Sequence, residues 1–371
     1  MDIFIYGTLH SKALRRAVAG GRDLVTLAAE LHDYRVQGVA GDVVPCIIKQ
    51  QGQLAAGLIL CDVDDQQRAR LDSYEGAFGY QLRDIVVQTA QGPRTVKMYH
   101  PPDDIADTKQ DWSFQHWQTH FEATAVAAAQ ELFAHDPPLS QAQIRQQWPM
   151  IERRGWAKAQ GANLPATRRF MPKPHDVTTT PVGALQGGFY KLQALEVQHR
   201  QFDGTMTPSL HREVFHGVDA VMVLPYDARR DQVLLVEQFR MGPLARKDPN
   251  PWQLEPIAGM IDAREAPLDA ARRETREEAG IDRISLHPAG SYYPSPGSGT
   301  DYFHTYVGLC ALPDDHARYG GLASESEDLR LHVLSRADAM ALVASGEIAA
   351  GPLVTLLYWL ALNLDQMRAA A

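Results

Sequence analysis

Residues 259–281 are the segment that most restricts how this chain can fold, because glycines and charged residues recur in it at fixed intervals. Gly259 permits a tight turn, and Pro267 is well tolerated in the first turn of a helix. Gly280 stands where a helix C-cap commonly has glycine. We therefore predict a loop, a helix over residues 266–279 and a second loop.

The predicted helix carries closely spaced carboxylates. Glu274 and Glu278 are four residues apart, so their side chains project from one face, and Glu277 is a near neighbour. Like charges at this spacing destabilise an isolated helix by a few tenths of a kcal/mol per pair. A hard divalent cation, which prefers oxygen ligands, would offset that repulsion. The alternative is a solvated acidic face, which is common in acidic proteins.

The complete pattern resembles the Nudix box, since its glycines, its arginine and its four glutamates all match. The matching residues are Gly259, Glu265, Arg273, Glu274, Glu277, Glu278 and Gly280. Thr275 departs from the family, which usually has a larger aliphatic residue there. We expect Thr275 to face the core and to leave the metal ligands unchanged.

The resemblance implies metal-assisted attack of water on a diphosphate, with Mg²⁺ as the ion and Mn²⁺ as the alternative. By position, Glu274 and Glu278 resemble metal ligands, and Glu277 resembles a ligand or a close neighbour of the ion. The backbone carbonyl of Ala258 resembles a further ligand. Arg273 is expected to orient the glutamates through paired hydrogen bonds rather than to touch the substrate.

Residues 186–364 also resemble ADP-ribose pyrophosphatases, including the tellurite-resistance-associated branch. Pro296 follows Gly280 by 16 residues, like a proline that marks these enzymes. The acidic segment around Glu325 and Glu327 resembles a mobile loop that supplies a catalytic base. We favour Glu325 for that role, with Glu327 as the second candidate and a solvated acidic loop as the alternative.

Three further residues resemble substrate-binding positions of that family. Phe189 and Arg212 match residues that enclose adenine, although a core position is the alternative for Phe189. Arg240 resembles a contact to phosphate or ribose, with a surface salt bridge as the alternative. The resembling enzymes share their site across a domain-swapped dimer, which implies a homodimer in which the segment from Phe189 to Arg212 could serve the partner subunit.

The N-terminal region carries a second pattern. Tyr6, Gly7, Thr8 and Leu9 directly follow an apolar strand, and Glu75 ends a segment that reads Leu-Asp-Ser-Tyr-Glu-Gly. These residues resemble the γ-glutamylcyclotransferase-like fold. The resemblance implies that the loop amides hold a substrate carboxylate and that Glu75 shuttles a proton. A non-catalytic binding or scaffolding role is the alternative.

Composition limits the class of partner. Acidic residues outnumber basic ones by 45 to 36, and the net charge of -9 argues against nucleic acid. The cysteines, Cys46, Cys61 and Cys310, are too widely spaced for a disulfide framework or a cysteine-based zinc site. The first residues lack the features of a signal peptide, and the apolar run at 353–364 is too short to span a membrane. We expect a cytoplasmic protein without a membrane segment.

A chain of 371 residues is expected to form two domains. Patterns and resemblances together predict an α+β protein. Residues 1–102 form a small β-barrel-like cyclotransferase fold, with strands at 43–48 and 58–63 among others. Residues 103–180 form a helical extension and a proline-rich linker, and residues 181–371 form a Nudix α/β/α sandwich.

The expected activity is hydrolysis of ADP-ribose to AMP and ribose 5-phosphate, with a second γ-glutamyl cyclotransferase activity in the N-terminal domain. The first alternative is a Nudix hydrolase for a nucleotide sugar or NADH, joined to a non-catalytic binding domain. The second is a ligand sensor without catalysis. The Glu274 and Glu278 pair argues against a sensor, because a sensor has no need of a metal site.

Overall fold

The computed structural model describes residues 1–105, 107–161, 167–313, 318–321 and 327–371. The chain divides into two compact units, residues 1–212 and 213–371. The strands of the first unit are β1 (Ile3–Ile5), β2 (Thr26–Val39), β3 (Pro45–Leu60), β4 (Gln81–Thr89), β5 (Gly92–His100), β6 (Asp107–Asp111), β7 (Val177–Gln186) and β8 (Lys191–His199). Its helices are α1 (Lys12–Val18), α2 (Asp65–Gly76), α3 (Phe114–Leu132) and α4 (Gln141–Gln160).

Strands β1 to β5 close into a barrel. Each is hydrogen-bonded to the next in the order β3, β1, β5, β4, β2, and β2 pairs again with β3. The β1–β5 contact is parallel, whereas β3 runs antiparallel to β1 and β2. Alternate residues of β1 serve different cores, because Ile3 and Ile5 pack in one cluster and Phe4 in another. The predicted small β-barrel-like fold is thus confirmed.

Helix α2 begins and ends where its sequence dictates. The Asp64 side chain accepts a hydrogen bond from the Gln67 backbone amide, and the Gln67 side chain accepts one from the Asp64 backbone amide. Both hydrogen bonds of an N-terminal capping box are therefore formed. Leu71 is buried in the core beneath the helix. Glu75 therefore stands in the last turn, directly before the chain leaves the helix at Gly76.

A buried ion pair joins α3 to α4. Arg154 is 1% exposed, and its guanidinium donates to both carboxylate oxygens of Glu131 over 2.6 to 3.0 Å. A further hydrogen bond of 3.0 Å runs from Arg154 to the carbonyl of Phe189. The turn between β7 and β8 is therefore fixed to the helical extension.

Lys191 fixes the same turn from its other end. Its side chain is buried, and Nζ lies 3.0 Å from His135 Nε2 and 3.3 Å from Gln147 Oε1. Strand β7 begins within the predicted linker, at Val177, and the compact units divide after residue 212. Long-range hydrogen bonds, which the local sequence pattern does not predict, attach the turn between β7 and β8 to the helical extension.

The strands after β8 are β9 (Leu210–His216), β10 (Asp219–Asp227), β11 (Gln232–Phe239), β12 (Trp252–Glu255), β13 (Ile257–Met260), β14 (Ser285–Tyr292), β15 (Tyr302–Leu309), β16 (Arg318–Gly320) and β17 (Leu329–Ser335). The helices are α5 (Met241–Ala245), α6 (Pro267–Ala279), α7 (Arg336–Ser345), α8 (Gly351–Leu362) and α9 (Leu364–Ala369). Strand β9 carries the chain across the division between the units.

The second unit is an α/β/α sandwich, as predicted. Its sheet has the order β14, β15, β10, β11, β17, β16, with β12 added to β11 and β13 to β10. Strand β10 is buried along its whole length. Val221 and Val223 pack with α6, whereas Met222 and Leu224 pack with α7 and α8 on the opposite face.

Two sequence predictions differ from the observed elements in extent. The predicted strands at 43–48 and 58–63 are the two ends of the single long strand β3, whose pairing with β2 is interrupted by a register shift at its polar centre, between residues 49 and 54. Pairing with β2 on both sides of this irregularity joins the two predicted strands into one. None of the helices in the described part of the chain is both long and apolar enough to cross a membrane.

Glu131→Ala is expected to destabilise the first unit by about 3–5 kcal/mol, because it leaves the Arg154 guanidinium buried without a counter-ion. Denaturant unfolding followed by circular dichroism measures the loss. Asp111→Ala, which removes the carboxylate of the more exposed pair with Arg35, is the control and should cost less than about 1 kcal/mol. Equal effects of the two substitutions would contradict a structural role for the buried pair.

Candidate active sites

Helix α6 presents the carboxylates as its sequence predicts. Pro267 stands in the first turn, and Gly280 caps the C-terminus with φ of 66°, a conformation that favours glycine. Glu274 is 9% exposed and Glu278 only 2%. Thr275 faces the core and donates its hydroxyl hydrogen to the Ala271 carbonyl at 2.6 Å, so its expected orientation is confirmed.

Arg273 holds most of the glutamates of this segment. Its Nη1 donates to Glu274 at 2.6 Å and to Glu277 at 3.1 Å. Its Nε and Nη2 donate to the two oxygens of Glu265 at 2.9 and 2.8 Å, which is a bidentate pair. These contacts raise the pKa of Arg273 and confirm the predicted orienting role.

Glu278 has no such partner. Its Oε2 atom is buried without a hydrogen bond. Burial, reinforced by the nearby charges of Glu274 and Glu327, raises the pKa of Glu278 to about 9. Burial also raises the pKa of Glu274 to about 7, although Arg273 opposes the shift. Ionising both carboxyl groups is thus costly, because little solvent can screen their charge.

The donor set fits a hard divalent cation. Every side chain that converges here offers carboxylate oxygen, which Mg²⁺ and Mn²⁺ prefer. Gly259 makes room for the Glu274 carboxylate, because a Cβ at position 259 would lie 1.9 Å from it. Within the described residues no three histidine, cysteine or acidic side chains are grouped as a complete metal site, and Arg273 donates hydrogen bonds to both Glu274 and Glu277.

The remaining predicted ligands and bases lie around this helix. Ala258 is on β13, opposite Met222 of β10, and its backbone amide hydrogen-bonds to Glu278. Glu327 is close enough to raise the pKa values of both Glu274 and Glu278. Glu325, the favoured base, lies outside the described residues.

Arg240 forms the salt bridge that was the alternative interpretation. It donates to one oxygen of Glu255 at 2.6 and 2.9 Å, and its charge also acts on Glu278. Pro296 lies in the loop between β14 and β15, where the Ser298 amide donates to the Ser295 carbonyl at 3.1 Å. Both residues belong to the same unit as α6.

Phe189 and Arg212 belong to the first unit. Phe189 is 52% exposed and packs edge to face with Tyr190, with ring centroids 4.9 Å apart, so it is not a core residue. Arg212 is also exposed, and its guanidinium donates to the neighbouring His211 carbonyl. Both side chains are accessible to a ligand.

The first unit has a cavity of about 310 Å³ that brings together the second set of predicted residues. Tyr6, Gly7, Thr8 and Leu9 line it, and so does Glu75 from the end of α2. Burial alone raises the pKa of Glu75 to about 7. A carboxyl group with that pKa can both accept and release a proton near neutral pH.

The loop after β1 has its shape for a steric reason. A Cβ on Gly7 would lie 2.7 Å from a side-chain carbon of Pro45, which also lines the cavity. Tyr6 shares a side-chain hydrogen bond with Tyr80, and burial raises the pKa of both phenols. Both hydroxyls therefore stay protonated at neutral pH and can donate hydrogen bonds.

Comparison with known proteins shows two family segments. Residues 217–352 match the NUDIX domain, and residues 3–119 match the family described as gamma-glutamyl cyclotransferase, AIG2-like. The ADP-ribose pyrophosphatase of Escherichia coli (strain K12) is 37% identical over 206 residues, which cover 56% of this chain and 96% of that protein. The chain belongs to the Nudix hydrolase family.

Two further relatives of this Nudix hydrolase match about half of the chain. The ADP-ribose pyrophosphatase of Haemophilus influenzae (strain ATCC 51907 / DSM 11121 / KW20 / Rd) is 36% identical over 186 residues, 50% of this chain and 85% of its own length. The GDP-mannose pyrophosphatase of Yersinia enterocolitica serotype O:8 is 28% identical over 175 residues, 47% and 90% respectively. Nudix hydrolases generally require divalent cations, in agreement with the oxygen-rich site on α6.

Among the cavity residues that sequence reasoning missed in this Nudix hydrolase, two belong to the helical extension. Trp148 and Glu152 of α4 line it beside Glu75. The only local signal is their spacing of four residues, which places both on one helix face. That spacing is common in helices, and only the packing of α4 on α2 gives it meaning.

Mn²⁺ is expected to stabilise the wild-type protein by about 3 kcal/mol when the ion is at a hundred times its Kd, because it binds only the folded state. Glu278→Gln should abolish this stabilisation, since it removes a buried ligand oxygen. Thermal unfolding with and without the ion, monitored by calorimetry, measures both values. Glu347→Gln, at an exposed position, is the matched control. A full Mn²⁺ response in Glu278→Gln would contradict the assignment of Glu278 as a metal ligand.

Proposed function

We propose that the second unit hydrolyses the diphosphate of ADP-ribose to AMP and ribose 5-phosphate with Mg²⁺, or alternatively Mn²⁺. The single observation that carries the proposal is the buried, unpartnered oxygen of Glu278 next to Glu274. Two relatives at 37% and 36% identity are named ADP-ribose pyrophosphatase, whereas the GDP-mannose pyrophosphatase is 28% identical. The higher identity favours ADP-ribose.

Glu274, Glu278 and the carbonyl of Ala258 would hold the cation. When bound, it neutralises diphosphate charge and polarises a phosphoryl oxygen. Arg273 keeps Glu274 in place through the 2.6 Å hydrogen bond and holds Glu277 as a close neighbour. Glu325 or Glu327 takes a proton from the attacking water, whose oxygen forms the new bond to phosphorus as the bridging bond breaks.

The substrate contacts are proposed from residues in both units. In the second unit, Arg240 would contact phosphate or ribose, and Pro296 would shape the pocket beyond the diphosphate. In the first, Phe189 would stack on adenine and Arg212 would lie against it, since both side chains are exposed. We also propose a cytoplasmic homodimer in which the segment from Phe189 to Arg212 serves the partner subunit.

Purified protein with Mg²⁺ is expected to release AMP from ADP-ribose faster than from NADH or ADP-glucose, measured by chromatography. Removing the base should lower kcat by about 10²–10⁴ with little change in KM, so one of Glu325→Gln and Glu327→Gln should show this loss. Glu347→Gln should behave as wild type. Faster cleavage of ADP-glucose or NADH would favour the alternative substrate class.

A second activity has its own supporting observation. The loop Tyr6 to Leu9 and Glu75 line one cavity, as a γ-glutamyl cyclotransferase requires. The loop amides would hold the α-carboxylate of a γ-glutamyl compound. Glu75 would take a proton from the α-amine as that nitrogen attacks the γ-carbonyl, and would pass it to the leaving amine.

Because Glu75 must be deprotonated to act as a base, kcat/KM for 5-oxoproline release should rise with pH through about 7. The folded state also binds this proton more tightly than the unfolded chain does. Glu75 therefore contributes stability below about pH 4.5 that is lost as pH rises through 7. Glu75→Gln should abolish both the activity and this pH dependence, measured by assay and by denaturant unfolding. A flat profile between pH 6 and 8 would refute the assignment.

A further inference from the structure

Helix α3 presents two histidines on one exposed face. His116 and His120 are four residues apart, so their side chains are neighbours on successive turns of the helix. Both are exposed, and their ring centroids are 4.4 Å apart with an interplanar angle of 35°. Trp117, which follows His116 in the chain, is 2% exposed and anchors these turns in the core. The two imidazoles therefore stand close together on a well-supported helix.

A hydrogen bond to the backbone sets the tautomer of one ring. His120 Nδ1 lies 2.8 Å from the carbonyl oxygen of His116. Because a carbonyl oxygen only accepts, Nδ1 carries the hydrogen, and Nε2 of the neutral ring keeps its lone pair. Histidines that bind metal ions are usually oriented in this way, by donating their other ring N–H to a carbonyl or carboxylate. In the described part of the chain, no hydrogen bond engages His120 Nε2 or either ring nitrogen of His116.

The separation of the two rings suits two ligands of one ion. A Zn²⁺ ion lies about 2.0–2.1 Å from a ligating imidazole nitrogen, and therefore about 3.2 Å from the ring centroid. Two rings that bind the ion at right angles to each other would thus have centroids about 4.5 Å apart. The observed separation is 4.4 Å. A pair of histidines four residues apart on a helix is also a known way of holding a metal ion from one helix face.

We propose that His116 and His120 form a second divalent-ion site, for an ion that prefers nitrogen ligands, such as Zn²⁺, Ni²⁺ or Cu²⁺. Among the residues that the structure describes, no three histidine, cysteine or acidic side chains are grouped as a metal site. The two imidazoles are therefore the protein ligands, and water completes the coordination. Imidazole suits these ions, whereas Mg²⁺ prefers the oxygen ligands that α6 offers. The inference does not rest on either proposed activity.

An ion at this site links two successive turns of α3. In the unfolded chain the two imidazoles are not held side by side, so the ion binds the folded state preferentially and stabilises it. Neither histidine is among the residues that line the cavity of the first unit. The ion therefore acts on the stability of the helical extension and leaves the cavity unchanged.

Calorimetric titration with Ni²⁺ tests the proposal, in untagged protein that carries Glu278→Gln so that the carboxylates of α6 contribute little. One ion should bind per chain. His116→Gln and His120→Gln should each weaken binding by about tenfold or more, because the second imidazole binds the ion intramolecularly. His32→Gln, which removes an exposed histidine of β2, is the matched control and should leave the affinity unchanged. Mg²⁺ should not compete with Ni²⁺ at this site.

A rearranged pair tests the spacing itself. Gln118→His combined with His120→Gln keeps the number of exposed histidines but places them two residues apart, where side chains do not face each other. This variant should bind Ni²⁺ no better than His120→Gln. Thermal unfolding should give one Tm for all variants without Ni²⁺, and a rise with Ni²⁺ only where both histidines are present. Parent-like affinity in either single variant or in the rearranged pair would overturn the site, and so would an equal loss in His32→Gln.

Discussion

The second unit depends on burying more carboxyl groups along α6 than the neighbouring guanidinium of Arg273 pairs with. One guanidinium, that of Arg273, serves Glu265, Glu274 and Glu277, and none of its hydrogen bonds reaches Glu278. A carboxylate such as that of Glu278 costs several kcal/mol when it is ionised away from water without a partner. The fold tolerates it because the other face of α6 packs closely on β10 through small residues such as Ala271.

The first unit contains a buried ion pair whose role is structural. Arg154 and Glu131 are as deeply buried as Glu278, yet each satisfies the other through three hydrogen bonds. The pair also holds the turn that carries Phe189. Burial alone thus does not identify a functional residue. A buried carboxylate oxygen without a donor, next to a second buried carboxylate, points instead to a ligand that satisfies both.

The sequence predicted those parts of the sites that depend on short, fixed spacing. The carboxylates of α6, the loop after β1 and Glu75 all lie within segments whose glycines and charged residues restrict one another. The place of Trp148 and Glu152 in the cavity wall was not predictable, because it depends on hydrogen bonds that α4 makes with residues about 70 positions earlier, such as Asp72. The pairing of β7 with β8, and their attachment to α3 and α4, escaped for the same reason.

The two sites neutralise buried carboxylates in different ways. The pKa of Glu75 is raised by burial alone, so a single proton relieves the cost of its charge, and the same proton can take part in a reaction. At α6 burial raises the pKa values of Glu274 and Glu278, repulsion from neighbouring carboxylates adds to both shifts, and a diphosphate would add further negative charge. Protons could neutralise the glutamates but would remove their capacity to bind a cation. A divalent ion neutralises both the glutamates and the diphosphate at once. The buried carboxyl group of the first unit is therefore suited to acid–base chemistry, and the carboxylates of the second unit are suited to binding a metal.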